Sequence, residues 1–179
     1  MLTKVHMSKT IIISNRLPVK ISKNDQQFEL SVSEGGLATG LGSVYKKADN
    51  IWIGWPGLDV TEKDEMAEIT SLLECRNLYP VFLKEEEIAN YYEGFSNETL
   101  WPMFHYMSTY AQFEQKYWDY YKQVNEKFRD AVLEVAEPDD IIWVHDYQLL
   151  LLPKMLREAL PNSTIGFFQH IPFPSFELF

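Results

Sequence analysis

The sequence predicts an α/β fold built on a Rossmann-like, doubly wound and mostly parallel sheet, and three observations carry that prediction. Short β-branched or apolar runs without period-two alternation recur along the chain, as strands buried on both faces require. Between them lie segments with apolar residues at three- and four-residue steps, the pattern of helices that bury one face. Arg16, Asp146 and His170 stand just past the ends of such runs. In doubly wound sheets, ligands gather at the carboxyl ends of the strands.

In order, Thr10 to Ser14 (TIIIS) is the first buried strand, closed by Asn15-Arg16 and Pro18. LPVKISKNDQQFELSV alternates on either side of Asn24-Asp25 and reads as a β-hairpin excursion folded over the strand end. Glu34-Gly35-Gly36 opens a helix over LATGLGSVYKKA, and IWIGW, Ile51 to Trp55, is the second strand. Thr61 is the expected N-cap of a helix running to Leu73, with Asp64 and Glu65 in its first turn. Leu78 to Leu83 follows as a strand and Lys84 to Tyr91 as a helix.

From Gln112 through Ala136, Tyr117, Tyr120 or Tyr121, Val124, Phe128, Ala131 or Val132, and Val135 share one face of a long amphipathic helix, which Glu137-Pro138 ends. Asp140 to Val144 is a buried strand leading into His145-Asp146-Tyr147, Leu149 to Leu160 a helix, and Thr164 to Phe168 the last strand.

At 179 residues, 46% of them hydrophobic, the chain can bury one ordinary core, so a single domain over 10–179 is expected, preceded by an unstructured or artificial tail over 1–9. A net charge of −10 with no run of Lys or Arg argues against nucleic acid or a membrane surface as partners. Cys75 is the lone cysteine, which excludes an intrachain disulfide and a thiolate metal site and fits a reducing cytoplasm. The strongest apolar stretch, Leu149 to Leu152, is too short to span a bilayer. No metal or cofactor is expected.

Several residues are candidates for chemistry. A guanidinium at Arg16 could grip a phosphate through two parallel N–H donors, although an exposed arginine at a strand end can equally pair with an acidic neighbour. Gly35 and Gly36 could bring helix-opening N–H groups close to an anion, or merely form a turn. Trp55, Tyr92 and Trp101 could wall a sugar, because an aromatic face covers the C–H side of a pyranose. Tyr91, Phe95, Phe104 and Tyr106 read instead as core anchors. Asp146 could accept hydrogen bonds from sugar hydroxyls and orient an attacking oxygen. No second carboxylate pairs with it, which argues against a glycosidase. His170, after GFFQ, is either a cleft residue or a structural one.

The segments SNRLPV, EGGLATGLG, WIGWPG, YYEGFSNETLWPMFHY, IIWVHDYQLLLLP and GFFQHIPFPSFELF closely resemble, in order and spacing, the signature segments of the trehalose-6-phosphate synthase family. That family consists of retaining GT-B glycosyltransferases with two Rossmann-like domains facing a cleft, and the chain resembles the first of them. The resemblance implies that Arg16 binds the 6-phosphate of a glucose 6-phosphate acceptor. It places Trp55, Tyr92, Trp101 and Asp146 around that acceptor, Gly36 on the donor's phosphate side and His170 against the transferred glucose.

Asp146 and His170 are the implied catalytic residues. The resemblance further implies a nucleotide-glucose donor such as UDP-glucose and a metal-independent reaction. The groups that hold the departing diphosphate belong to the C-terminal domain. An isolated first domain would then be inactive, and its uncovered interdomain face gives it a tendency to self-associate. Two other readings stay open: a sister GT-B enzyme with another phosphorylated acceptor, and a non-catalytic regulatory module derived from the enzyme.

Overall fold

The computed structural model describes residues 8–24, 27–32, 40–41 and 50–178. Strand β1 (Thr10–Arg16) is followed by the hairpin strands β2 (Val19–Asn24) and β3 (Gln27–Val32), then by β4 (Ile51–Trp55). Helix α1 (Lys63–Glu74) leads to β5 (Leu78–Pro80). The chain then coils through α2 (Glu85–Glu87), a 13-residue π-helix (Ile88–Leu100) and α3 (Trp101–Phe104). Helix α4 (Gln115–Val135), β6 (Ile141–His145), a 3₁₀ turn at Tyr147–Leu149, α5 (Leu152–Ala159) and β7 (Thr164–Phe168) complete the order.

Five strands form one parallel sheet in the order β5-β4-β1-β6-β7, and β2-β3 form a separate antiparallel pair. The chain first winds outward from β1 through β4 to β5, then returns to lay β6 and β7 on β1's other side. This reversal puts the topological switch point between the carboxyl ends of β1 and β6. Ile11, Ile12 and Ile13 on the central strand are all 0% exposed, so both sheet faces are covered there. On one face, Ile11, Ile13, Ile53 and Val144 pack with Tyr121, Val124, Phe128 and Leu156 of α4 and α5. On the other, Ile12 and Trp52 pack with Ile69 and Leu73 of α1 and with Ile21 and Phe28 of the hairpin.

The doubly wound parallel sheet and its hairpin excursion are as expected, and the bounds of β4 and β7 coincide with those read from sequence. Other elements shift. Helix α1 begins at Lys63 with Glu62, not Thr61, in the capping position and no side-chain cap. The expected strand from Leu78 to Leu83 pairs only to Pro80.

The largest departure follows Tyr91, where the helix does not end but runs on to Phe104. Gly94 and Pro102 mislead here, because both read as breakers. Gly94 is required by packing: a Cβ there would lie 2.6 Å from the Tyr117 ring. Pro102 falls in the first turn of α3, where a missing N–H is tolerated. Tyr106, expected as a core anchor, is 60% exposed, whereas Tyr91 and Phe104 are fully buried.

Ser8 and Lys9, assigned from sequence to the tail, are tied to the domain: Ser8 Oγ donates to Asp139 O, and Lys9 forms an ion pair with Asp140. Of the helix expected after Gly36, only Gly40 and Leu41 are among the described residues, and both are helical.

Candidate functional site

The carboxyl ends of β1 and β4 are shaped by a register irregularity. Ile13 pairs with Ile53, but Arg16 pairs with Trp55, so β1 carries one extra residue in this interval. A bulge of this kind re-aims side chains at a strand end. It requires a glycine opposite, because a Cβ on Gly54 would lie 2.8 Å from Leu17 N and 2.9 Å from Arg16 C. The bulge brings the Arg16 guanidinium over two aromatic rings, 4.5 Å from the Trp55 centroid and 5.9 Å from that of Tyr92. Trp55 is fixed by its own N–H donated to Leu58 O, and its ring lies 6.4 Å from that of Tyr92.

Arg16 itself is exposed, and among the described residues its guanidinium has no carboxylate partner. It lines a cavity of about 690 Å³ between the sheet edge and the β2-β3 hairpin, together with Lys20, Ser31, Trp55, Gly57 and Leu58. Among the described residues that wall carries two cations and no carboxylate, which favours an anionic ligand.

Across the switch point, β6 delivers Asp146. Its backbone lies at φ 75° and ψ 167°, a conformation that L residues rarely adopt and that costs of order 1–3 kcal/mol. Its carbonyl accepts from Leu149 N at 3.1 Å, and three further hydrogen bonds, from its N–H and to its Oδ1, hold it there. Asp146 N donates to Phe168 O at 2.8 Å, and Oδ1 accepts from Tyr147 N at 2.9 Å and from His170 N at 3.3 Å. Among the described residues Oδ2 has no partner, so one carboxylate oxygen remains for a ligand.

Tyr147 links the two sides. Its hydroxyl donates to Asn97 Oδ1, and its ring lies 5.8 Å from Trp101. Burial, then the neighbouring Tyr92 and Asp146, push its phenol well above the ordinary range. Trp101 is 40% exposed and lies against His105 with centroids 4.1 Å apart.

Sequence reasoning missed His145, Tyr147 and Asn97. His145 carries the one available signal, since both β6 and β7 lead into a histidine. Its Nδ1 lies 3.0 Å from His170 Nε2. Burial, with a smaller contribution from His170, lowers its pKa from 6.5 to about 4. Beside it the Gln169 amide is buried and without a partner among the described residues. The structure therefore gathers Arg16, Trp55 and Tyr92 in one cluster, sets Trp101 against Tyr147, and ties Asp146, the neighbour of Tyr147, to the His170 backbone. Gly36 lies outside the described residues. Among them, no group of three His, Cys, Asp or Glu residues could hold a metal, and no helix is long and apolar enough to cross a membrane.

A parallel sheet reversing at β1, with a cationic cavity beside Trp55 and a strained carboxylate at the carboxyl ends of its strands, defines a Rossmann-like domain whose described site residues suit a polar, anionic ligand. Its relatives narrow that class: the model of glycosyltransferase family 20 matches residues 8–179, and the chain belongs to that family.

It is 43% identical over 180 residues to a UDP-forming α,α-trehalose-phosphate synthase of Yarrowia lipolytica, covering 97% of this chain and 38% of that protein. Its fold is similar to the crystal structure of a UDP-forming α,α-trehalose-phosphate synthase of Burkholderia vietnamiensis, with a TM-score of 0.74, 34% identity and coverage of 97% of this chain and 35% of the other. The corresponding enzyme of Burkholderia xenovorans, solved in complex with glucose-6-phosphate, gives a TM-score of 0.72 at 31% identity, covering 96% and 35%. The chain thus spans little more than a third of the length of these relatives.

Proposed function

We propose that this chain is the N-terminal, acceptor-binding domain of a trehalose-6-phosphate synthase, which transfers glucose from UDP-glucose or another nucleotide-glucose to glucose 6-phosphate with retention, giving trehalose 6-phosphate. The observation that carries the reading is Arg16, aimed by the β1 bulge over Trp55 and Tyr92 and free of any carboxylate partner among the described residues. A cation in that setting, with Lys20 on the same cavity wall, suits a sugar phosphate better than a neutral sugar. The xenovorans relative, solved with glucose-6-phosphate, supports the same acceptor.

In this reading Arg16 grips the 6-phosphate, while Trp55, Tyr92 and Trp101 cover the apolar faces of the acceptor. The open Oδ2 of Asp146 accepts from the attacking hydroxyl, orienting it and easing its loss of a proton. His170, tethered to Asp146 through its backbone N–H, contacts the donor glucose, and Gly36 lies toward the donor's phosphates. The acceptor hydroxyl attacks the anomeric carbon on the face from which the nucleoside diphosphate departs, with no metal required. Catalysis then depends on positioning and on charge stabilisation of the departing diphosphate.

The second GT-B domain supplies the groups that hold that diphosphate. The work is cytoplasmic, and the uncovered interdomain face favours self-association when this domain stands alone. The test is UDP release dependent on glucose 6-phosphate: the full-length protein releases UDP and this chain alone does not. Substrate-dependent release by the chain alone would overturn the assignment of the diphosphate site to the other domain.

A further inference from the structure

His145 and His170 meet across the ends of β6 and β7, with His145 Nδ1 3.0 Å from His170 Nε2 and the ring planes inclined by 29°. Their surroundings differ. His145 is 1% exposed and held between Trp143 and Phe168, at centroid distances of 4.6 and 6.2 Å. Its other nitrogen, Nε2, is buried and has no hydrogen-bond partner among the described residues. His170 is exposed.

A neutral imidazole has one N–H and one lone pair, so an N···N contact of this length needs a single proton between the rings. Two arrangements supply one. In the first, His145 Nδ1–H donates to His170 Nε2, and the buried Nε2 of His145 is left with only a lone pair. In the second, His170 Nε2–H donates, and the proton of His145 must move to its buried Nε2, where no acceptor meets it. A buried N–H without an acceptor is the more costly vacancy, so the first arrangement prevails. The apolar cage keeps His145 neutral, which both arrangements require.

We propose that His145 is a positioning residue that holds His170 in the tautomer protonated on Nδ1, so that His170 turns an N–H donor toward the cleft. The pairing fixes the ring through Nε2, while the hydrogen bond from His170 N to Asp146 Oδ1 fixes its backbone, leaving Nδ1–H as the free polar group. Resting on the reading of His170 as a contact to the donor glucose, this makes an oxygen of that sugar the acceptor. The second-sphere histidine thereby selects which of the two imidazole nitrogens the sugar meets.

Long-range ¹H–¹⁵N NMR correlation of the histidine-labelled chain at neutral pH reads the tautomer directly. The expected result is a protonated Nδ1 and an unprotonated Nε2 on His170. In His145→Phe the pattern reverts toward the Nε2–H form preferred by free imidazole side chains. In His145→Asn, whose amide N–H₂ occupies the place of the Nδ1–H, it is retained. An Nε2–H tautomer of His170 in the unmodified chain overturns the proposal, whether or not the variants fold, as does a His170 unchanged in a folded His145→Phe.

The full-length protein supplies the second readout. His145→Phe lowers kcat roughly tenfold or more with KM for the acceptor little changed, and His145→Asn restores most of it. A tautomer switch without any change in kcat would remove the assignment of His170 to the donor sugar while leaving the His145–His170 relation standing.

Discussion

Asp146 Oδ1 accepts the backbone N–H of His170, and the N–H of Asp146 itself is donated to Phe168 O. These two bonds tie the end of β6 to the end of β7 and hold Asp146 at φ 75°, where a side chain is strained. The position is one that glycine would occupy at lower cost, so the carboxylate is kept against a backbone penalty. This is the pattern expected where a side chain serves a ligand rather than the fold.

Substitutions at Asp146 should separate the two effects. Asp146→Ala keeps the strain and loses both side-chain hydrogen bonds, and should cost about 1–3 kcal/mol in urea unfolding. Asp146→Gly relieves the strain and should be closer to wild type in stability. Asp146→Asn retains an acceptor oxygen, should leave the unfolding midpoint nearly unchanged, and should still lower turnover of the full-length protein.

Gly54 should tolerate no side chain, because a Cβ would come within 3.0 Å of backbone atoms of Ser14, Arg16 and Leu17. Gly54→Ala should destabilise the domain by about 1–3 kcal/mol, measured by urea unfolding. Because the strain falls on the bulge that aims Arg16, it should weaken sugar-phosphate binding even at temperatures where the variant is folded.

The two tryptophans assigned to the acceptor should behave differently. Trp55 is 4% exposed, and Trp55→Ala should cost about 3–5 kcal/mol of stability as well as binding. Trp101 is 40% exposed, so Trp101→Ala should cost about 1 kcal/mol or less while reducing acceptor affinity. Paired thermal melts and ligand titrations distinguish a core residue from a ligand wall.

Acid should act through two groups in separate windows. His145 in the folded chain has its pKa depressed from 6.5 to about 4, so the unfolded state binds the extra proton between those values and stability falls as pH drops across them. For Asp140, burial opposes ionisation but is outweighed by hydrogen bonds from the Lys9 side chain and from the backbone N–H groups of Glu137 and Lys9. Its carboxyl therefore lies below the ordinary value of 3.8, and its contribution is lost only at still lower pH. Stability measured from pH 7 to 4 should lose most of its slope in His145→Phe, whereas Asp140→Asn should lower stability by a near-constant amount across that range and change the slope only on the more acidic limb.

The sheet was legible because its strands announce themselves through short apolar runs such as TIIIS and TIGFF, which show neither alternation nor a helical period; TIIIS is buried on both faces, whereas TIGFF, at the sheet edge, stays partly exposed. Arg16, Asp146 and His170 were legible for the same reason, as polar residues just past those runs. The helical stretch from Ile88 to Leu100 was not. Its i→i+5 winding does not repeat apolar residues at the 3.6-residue period that marks an α-helix, and Gly94 and Pro102 punctuate it like a loop. His145 was only faintly legible, since the shared pattern of an apolar strand leading into a histidine acquires meaning once the fold brings His145 Nδ1 to 3.0 Å from His170 Nε2. The β1 bulge is written only in the pairing of Ile13 and Arg16 with β4, which no single segment reveals.

The most direct test of the acceptor assignment is a calorimetric titration of the chain with glucose 6-phosphate, with glucose as control and Arg16→Ala as the variant. Binding should require the phosphate and be lost in Arg16→Ala while the variant remains folded. Equal binding of glucose and glucose 6-phosphate, or binding that survives Arg16→Ala, would contradict it.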